Sequence, residues 1–309
     1  MKNQAMSVST VDAEPIAAPV RRRQRSESLW AQTTRRLKRS KTALVGLGIV
    51  MALILVSVFA EVLAPYDPIR NSPTETFQLP NATHWLGTDQ FGRDMLSRII
   101  YGSRISLAVG LASVLLAIFI GVPLGLIAGF YGGRLDSVIM RAMDLILSFP
   151  VFLLAIVIMI MFTPTAGLLG AMKVIMAIGI VRIPIYARLV RGTVLSVKEK
   201  EYIEACRALG QYDPQILLHH VLPNCMAPII VTGTLSIATA IIVEASLSFL
   251  GLGTQPPTPS WGWDLKANVA WIQSNPWLAL GPGFAIFVTV LGFNLFGDGL
   301  RDALDPRLK

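Results

Sequence analysis

Residues 196 to 224 read SVKEKEYIEACRALGQYDPQILLHHVLPN, a charged, amphipathic stretch lying between two long apolar runs. Ser196 followed by Glu199 fits a capping box, which predicts a helix running to about Leu209. Gly210 can take the left-handed conformation that ends it. Asp213 then predicts the cap of a second helix with Pro214 at its first position, stopping near Pro223. Tyr202, Cys206 and Leu209 fall on one face of the first helix with Ile203 at its margin, and Lys200, Glu204 and Arg207 lie elsewhere.

The sequence around this module is built for lipid. Of 309 residues 53% are hydrophobic and only 15% charged, against about 25% in an average soluble domain. Six runs are long and apolar enough to cross a hydrocarbon core of about 30 Å as helices. They lie near residues 43 to 64, 105 to 130, 145 to 162, 165 to 187, 226 to 250 and 279 to 297, and the first reads as a retained anchor. The expected fold is all-α: a polytopic six-helix membrane protein.

Positive loops stay cytoplasmic, and the runs RRRQR and RRLKRSK stand before the first span. Both termini are therefore expected inside, with loops 131 to 144 and 188 to 225 inside and loops 65 to 104 and 251 to 278 outside. The basic runs could instead contact nucleic acid, but their place next to a span favours topology. Cys206 and Cys225 then share the cytoplasmic side and are expected as free thiols.

No reaction chemistry stands out. GTDQFGRD at 87 and GFNLFGDG at 292 have the glycine spacing of a phosphate loop without its Lys and hydroxyl residue. His84, His219 and His220 give no metal-chelating set, since neighbours on a helix point about 100° apart, and a solvated or interfacial role is expected for them. No catalytic residue, cofactor or metal site is expected, and the chain is not expected to be an enzyme.

Movement of a solute remains. Ala117, Gly121, Gly125 and Gly129 place small side chains on one stripe of the second span, suited to a dimer seam or an intrachain contact. Pro123, Pro150, Pro184 and Pro282 permit bending. Glu244 and Arg182 lie within spans, where a charge is expensive, and are candidates either for a translocation path or for a buried structural pair or hydrogen bond. Trp261, Trp263, Trp271 and Trp277 in the following outer loop suit an aromatic belt or a ligand-facing lid.

EACRALG, nine residues, then HVLPN resembles the cytoplasmic loop of ABC importer permeases, whose pattern is E-A-A, three residues, Gly, nine residues, I-x-L-P. Glu204, Ala205, Gly210, Leu222 and Pro223 match; Cys206 replaces the second Ala and His220 the Ile. GTDQFGRDMLSRIIYGSRISL at 87 to 107, ASLSFLGLGTQPPTPSWG at 245 to 262 and FNLFGDGLRDALDPRLK at 293 to 309 are similar to the C-type membrane subunit of dipeptide and oligopeptide importers. The resemblance implies a type-1 importer permease bundle in a bacterial cytoplasmic membrane. Its partners would be a homologous B-type permease, two ABC ATPase subunits below and an external binding protein, with no nucleic acid. Glu204, Ala205, Cys206, Gly210, Leu222 and Pro223 would form the ATPase-coupling loop.

The expected division is a basic tail at 1–42, the first helix at 43–64, an external loop at 65–100, a permease domain at 101–300 holding the coupling loop at 192–225, and a tail at 301–309. The implied cargo is a di- or oligopeptide; nickel, glutathione or another small solute on the same architecture is the alternative. An ion-coupled secondary transporter, to which Glu244 could contribute, and a structural or sensory subunit are the rivals from other classes.

Overall fold

The computed structural model describes residues 35–163 and 165–304. The run RRRQR and the last five residues lie outside them. The described residues are helical, with no strand beyond two isolated bridges. Helix α1 spans Lys41–Val58 and is capped by Ser40, whose hydroxyl accepts from Ala43 N–H. Helix α2 is Met95–Tyr131, α3 Gly133–Leu147, α4 Val151–Ile160 and α5 Gly167–Lys198. Helix α6 is Glu201–Ala208, α7 Leu222–Phe249, α8 Trp261–Asn268 and α9 Trp277–Leu304.

Among the described residues five elements are long and apolar enough to cross a membrane, or six if the bent pair that follows α2 is one span: α1, α2, α5, the continuous helix Asp213–Phe249 that contains α7, and α9 are the five. The expected third span is not one helix. Residues 131 to 144, expected as a loop, belong largely to α3, and α4 follows at a bend of 84°. Pro150 stands at the break: it has no N–H to donate to Ile146 and disfavours helical geometry at Phe149. Ten residues of α4 rise about 15 Å, half a hydrocarbon core. The charges of this segment fasten α3 to α5, through Asp136 with Arg191 (Arg191 Nη2 to Asp136 Oδ2 2.6 Å) and Asp144 with Arg188. Pro123, Pro184 and Pro282 are absorbed within continuous helices.

The stripe Ala117–Gly121–Gly125–Gly129 is an intrachain seam. A Cβ at Gly121 would stand 2.7 Å from Ile183 O, and one at Gly125 2.4 Å from Ala187 O, so the backbones of α2 and α5 touch where a side chain has no room. Helix α1 lies against α9 in the same manner, with Gly46 over the Phe296 amide.

The loops before α2 and after α7 close into a hydrogen-bonded cap over one end of the bundle. GTDQFGRD is a turn in which the Asp89 carboxylate accepts from Phe91 and Arg93 N–H and pairs with the Arg93 guanidinium at 2.6 Å. Asp94 caps α2, accepting from Ser97 N–H at 2.8 Å and meeting His84 Nδ1 at 2.9 Å. His84, expected at a wet surface, is therefore buried, because it completes this cap. Trp261, expected in an aromatic belt, is also buried, its indole N–H donating to Ile99 O at 2.9 Å; Trp271 and Trp277 do face outward.

Candidate functional site

At the opposite end of the bundle, α5 continues to Lys198, past the expected loop start. Ser196 is therefore inside α5 and forms no capping box; the chain turns at Glu199 and Lys200, and α6 begins at Glu201 without a side-chain cap. Packing decides this, because Val190, Val194 and Val197 continue the apolar face of α5 into one buried cluster. The C-terminus of α6 does follow expectation. Gly210 has φ +78°, Gln211 N–H donates to Cys206 O at 3.1 Å, and Gly210 N–H donates to Arg207 O at 2.9 Å, the paired bonds of a Schellman motif.

Asp213 is the first helical residue of the next turn, Asp213–Ile216, rather than its cap. Pro223 does not stop the chain. A π-helical turn at Leu217–Val221 leads into α7 and Leu222 N–H donates to Leu217 O; the widened ladder carries the helix past Pro223.

One face of this module is fastened to the bundle. Ile203 and Ile216 are fully buried, and with Leu217, Val221 and Cys225 they join the valines of α5 and Phe130 of α2. Ile203 is thus the centre of the α6 face, not its margin, because the bundle and not the outer surface receives it. Polar ties reinforce the seat. Lys198 Nζ donates to Gly129 O at 3.0 Å, and the Arg207 guanidinium lies 5.2 Å above the Phe130 ring. Asn224 donates to His220 O at 2.7 Å and to the Tyr202 hydroxyl at 3.3 Å.

The other face is open. Glu204, Ala205, Gly210 and Pro223 are exposed, and Cys206 and Leu222 are half-buried. Between them project Leu209 at 82% exposure and Tyr212 at 80%, with Leu218 alongside. Sequence reasoning placed Leu209 on the apolar face and passed over Tyr212 and Leu218; their signal was apolar side chains left over once the buried set Ile203, Ile216, Leu217 and Val221 is assigned. The arrangement is a stiff lever whose roots are the ends of two spans and whose outer surface is mixed apolar and charged. Cys206 and Cys225 are free thiols.

Glu244 and Arg182 are not brought together. Glu244 is 1% exposed and turns toward α2, accepting from Ser106 Oγ at 3.0 Å and Ser248 Oγ at 2.8 Å. Arg182, 6% exposed, turns from α5 toward α7, where its Nη2 donates to Thr239 Oγ1 at 2.8 Å. Among the described residues no group of three or more His, Cys, Asp or Glu could hold a metal ion.

Residues 121–309 match the family model described as the binding-protein-dependent transport system inner membrane component. The chain belongs to this permease family. Residues 28–80 of the permease also match the N-terminal TM domain of oligopeptide transport permease C. The permease is 46% identical over 296 residues to the dipeptide transport system permease protein DppC of Alkalihalophilus pseudofirmus, covering 96% of each chain. It is 44% identical to the glutathione transport system permease protein GsiD of Pectobacterium atrosepticum, over 94% of this chain and 95% of that one. It is 43% identical to the di/tripeptide transport system permease protein DppC of Pseudomonas aeruginosa, over 87% and 89%. Its fold is similar to a chain of the MetNI methionine ABC transporter in an inward-facing form, with TM-score 0.56 and 20% identity over 68% of this chain and 98% of that one. The protein is a multi-pass inner-membrane permease of an ABC importer, a transport subunit that works with other membrane and ATPase subunits.

Proposed function

We propose that this permease is the C-type subunit of a di- or oligopeptide importer, enclosing one pathway with a homologous B-type permease above two ATPase subunits and below an external binding protein. The similarity to permeases named for dipeptides and di/tripeptides supports the cargo. Coupling runs through residues 199 to 224. Glu204, Ala205, Cys206, Gly210, Leu222 and Pro223 belong to the contact with an ATPase, and Leu209, Tyr212 and Leu218 are its apolar knobs. The observation that carries this reading is the two-sidedness of the module: buried Ile203 and Ile216 root it in α5 and α7, while Leu209 and Tyr212 stand in open solvent. A partner pushing on the knobs moves the roots, so closure of an ATPase becomes tilting of two spans. Both termini and this module lie in the cytoplasm, the cap over α2 lies outside, and ATP is hydrolysed by the partners.

The test is uptake of radiolabelled dialanine by proteoliposomes holding the whole complex, with and without internal ATP. ATP-dependent accumulation that requires the binding protein is expected. Accumulation driven by a proton gradient with the ATPase inactivated would overturn the reading. A specific similarity favours glutathione as a second cargo, and competition of dialanine uptake by glutathione distinguishes the two. The purified chain, proven free of other subunits, is expected to hydrolyse no ATP; measurable turnover would place chemistry in this subunit.

A further inference from the structure

Arg182 sits halfway along α5, in the middle of a membrane span, and is more than nine-tenths buried. A guanidinium offers five N–H donors and keeps its charge at any ordinary pH. Nη2 is bonded to Thr239, but Nε is buried without a partner. The ion pairs among the described residues engage Arg93, Arg98, Arg104, Arg188 and Arg191, and none joins Arg182 to a carboxylate. Glu244, the charged residue inside α7, is committed to Ser106 and Ser248 on the side facing α2. A buried cation left in this way is costly, and the deficit is one anionic acceptor.

The surface beside it is unlike a lipid-facing one. Thr232, Ser236, Thr239 and Ser246 recur along α7 at spacings of four, three and seven, which puts their hydroxyls on a single stripe. Thr239 is exposed, Thr232 and Ser246 are half-buried, and Ser236 is 7% exposed. A hydroxyl stripe that opens at Thr239, with an arginine bonded to it there, suits a watered path and not acyl chains.

We propose that Arg182 and the hydroxyl stripe of α7 form a carboxylate-binding station in the translocation path, where the guanidinium receives the C-terminal carboxylate of the transported peptide. The proposal rests on the importer reading above and adds the group of the cargo that this chain contacts. Thr239 orients the guanidinium from one side, leaving its remaining N–H groups for a charge-assisted bond to a carboxylate oxygen. The station sits at mid-membrane, so it selects cargo after release from the binding protein and independently of that protein's own preference.

The experiment compares dialanine with its C-terminal amide in proteoliposomes of the whole complex, each probe supplied at a concentration that saturates the wild-type binding protein. The wild type is expected to import the acid about tenfold faster than the amide, the scale of one charge-assisted contact. In Arg182→Gln the acid-to-amide ratio is expected to fall toward one. Thr239→Val keeps the cation but frees it from its hydroxyl, and is expected to lower the ratio by a smaller factor. An unchanged ratio in Arg182→Gln overturns the station; if that variant does not assemble, an unchanged ratio in Thr239→Val does so. Restoration of Arg182→Gln by neutralising a carboxylate of the partner permease would also overturn it, since the missing anion would then belong to the partner. Absence of ATP-dependent dialanine uptake by the wild type would instead sink the peptide-cargo reading beneath it.

Discussion

Arg98 and Asp264 stand 166 positions apart in the chain and meet at 2.6 Å, with side-chain exposures of 0% and 1%. Arg98 lies in the first turn of α2 and Asp264 in α8, and Arg98 Nη1 donates to Pro68 O at 2.9 Å as well. One guanidinium thus joins the segment after α1, the start of α2 and the segment after α7.

Removing either partner strands the other charge away from water. Asp264→Ala and Arg98→Ala are each expected to destabilise the subunit by about 3 to 5 kcal/mol. Thermal unfolding of the detergent-purified subunit checks this. The double variant should lose clearly less than the sum of the two, since no lone charge remains.

The seam between α2 and α5 is set by backbone contact. Gly125→Ala introduces a Cβ 2.4 Å from Ala187 O and is expected to cost about 1 to 3 kcal/mol or to force the helices apart. Gly192→Ala, on α5 where no neighbouring atom lies within 4 Å, is expected to be neutral or slightly stabilising. Folded yield and melting temperature of the pair give the comparison. Equal losses at both positions would deny the close approach.

Gly210 has open space around its Cα, so crowding is not what excludes a side chain there. Its φ of +78° is. Gly210→Val is expected to cost about 1 to 3 kcal/mol locally and to misalign α6 with the turn at Asp213. Insertion and assembly should persist while uptake and binding-protein-stimulated ATP hydrolysis fall sharply; Glu204→Lys should act in the same direction. Both activities are measured per assembled complex, and near-normal values in both variants would remove the module from the coupling path.

Orientation is checked by cysteines at Gln211 and Gln273, both exposed, in a background with Cys206 and Cys225 replaced by Ser. A membrane-impermeant maleimide is expected to reach Gln273→Cys from outside and Gln211→Cys only from the cytoplasmic side. Reaction of both from one side would overturn the topology.

Much of this architecture was legible because lipid writes strong patterns. Long apolar runs can satisfy their backbone only as helices, so five of the six expected spans appear as single helices and the third as a bent pair, and the glycine stripe announced a close helix contact. Gly210 was legible too, since one residue type dominates its left-handed position. Local rules failed where a long-range contact outbid them. Ser196 offered a cap, but Val190, Val194 and Val197 gained more by continuing α5 over the base of the module. His84 read as a surface residue until Asp94, ten positions on, enclosed it.

Two features belong to the tertiary structure alone. Arg182 and Glu244 were equivalent in the sequence, each a charge inside an apolar run; only packing separates them, sending Glu244 to Ser106 of α2 and Ser248 of its own helix and leaving Arg182 with one hydroxyl and no anion. The third apolar run likewise promised a crossing, and the structure makes it a bent pair, because Pro150 removes a donor at the point where Asp136 and Asp144 hold the preceding helix against α5. The sequence by itself determined which segments must be helical and which must avoid water, since composition and period fix those locally. Which face of each helix meets which neighbour depends on shapes and charges tens to hundreds of residues away, and the folded chain alone brings them within reach.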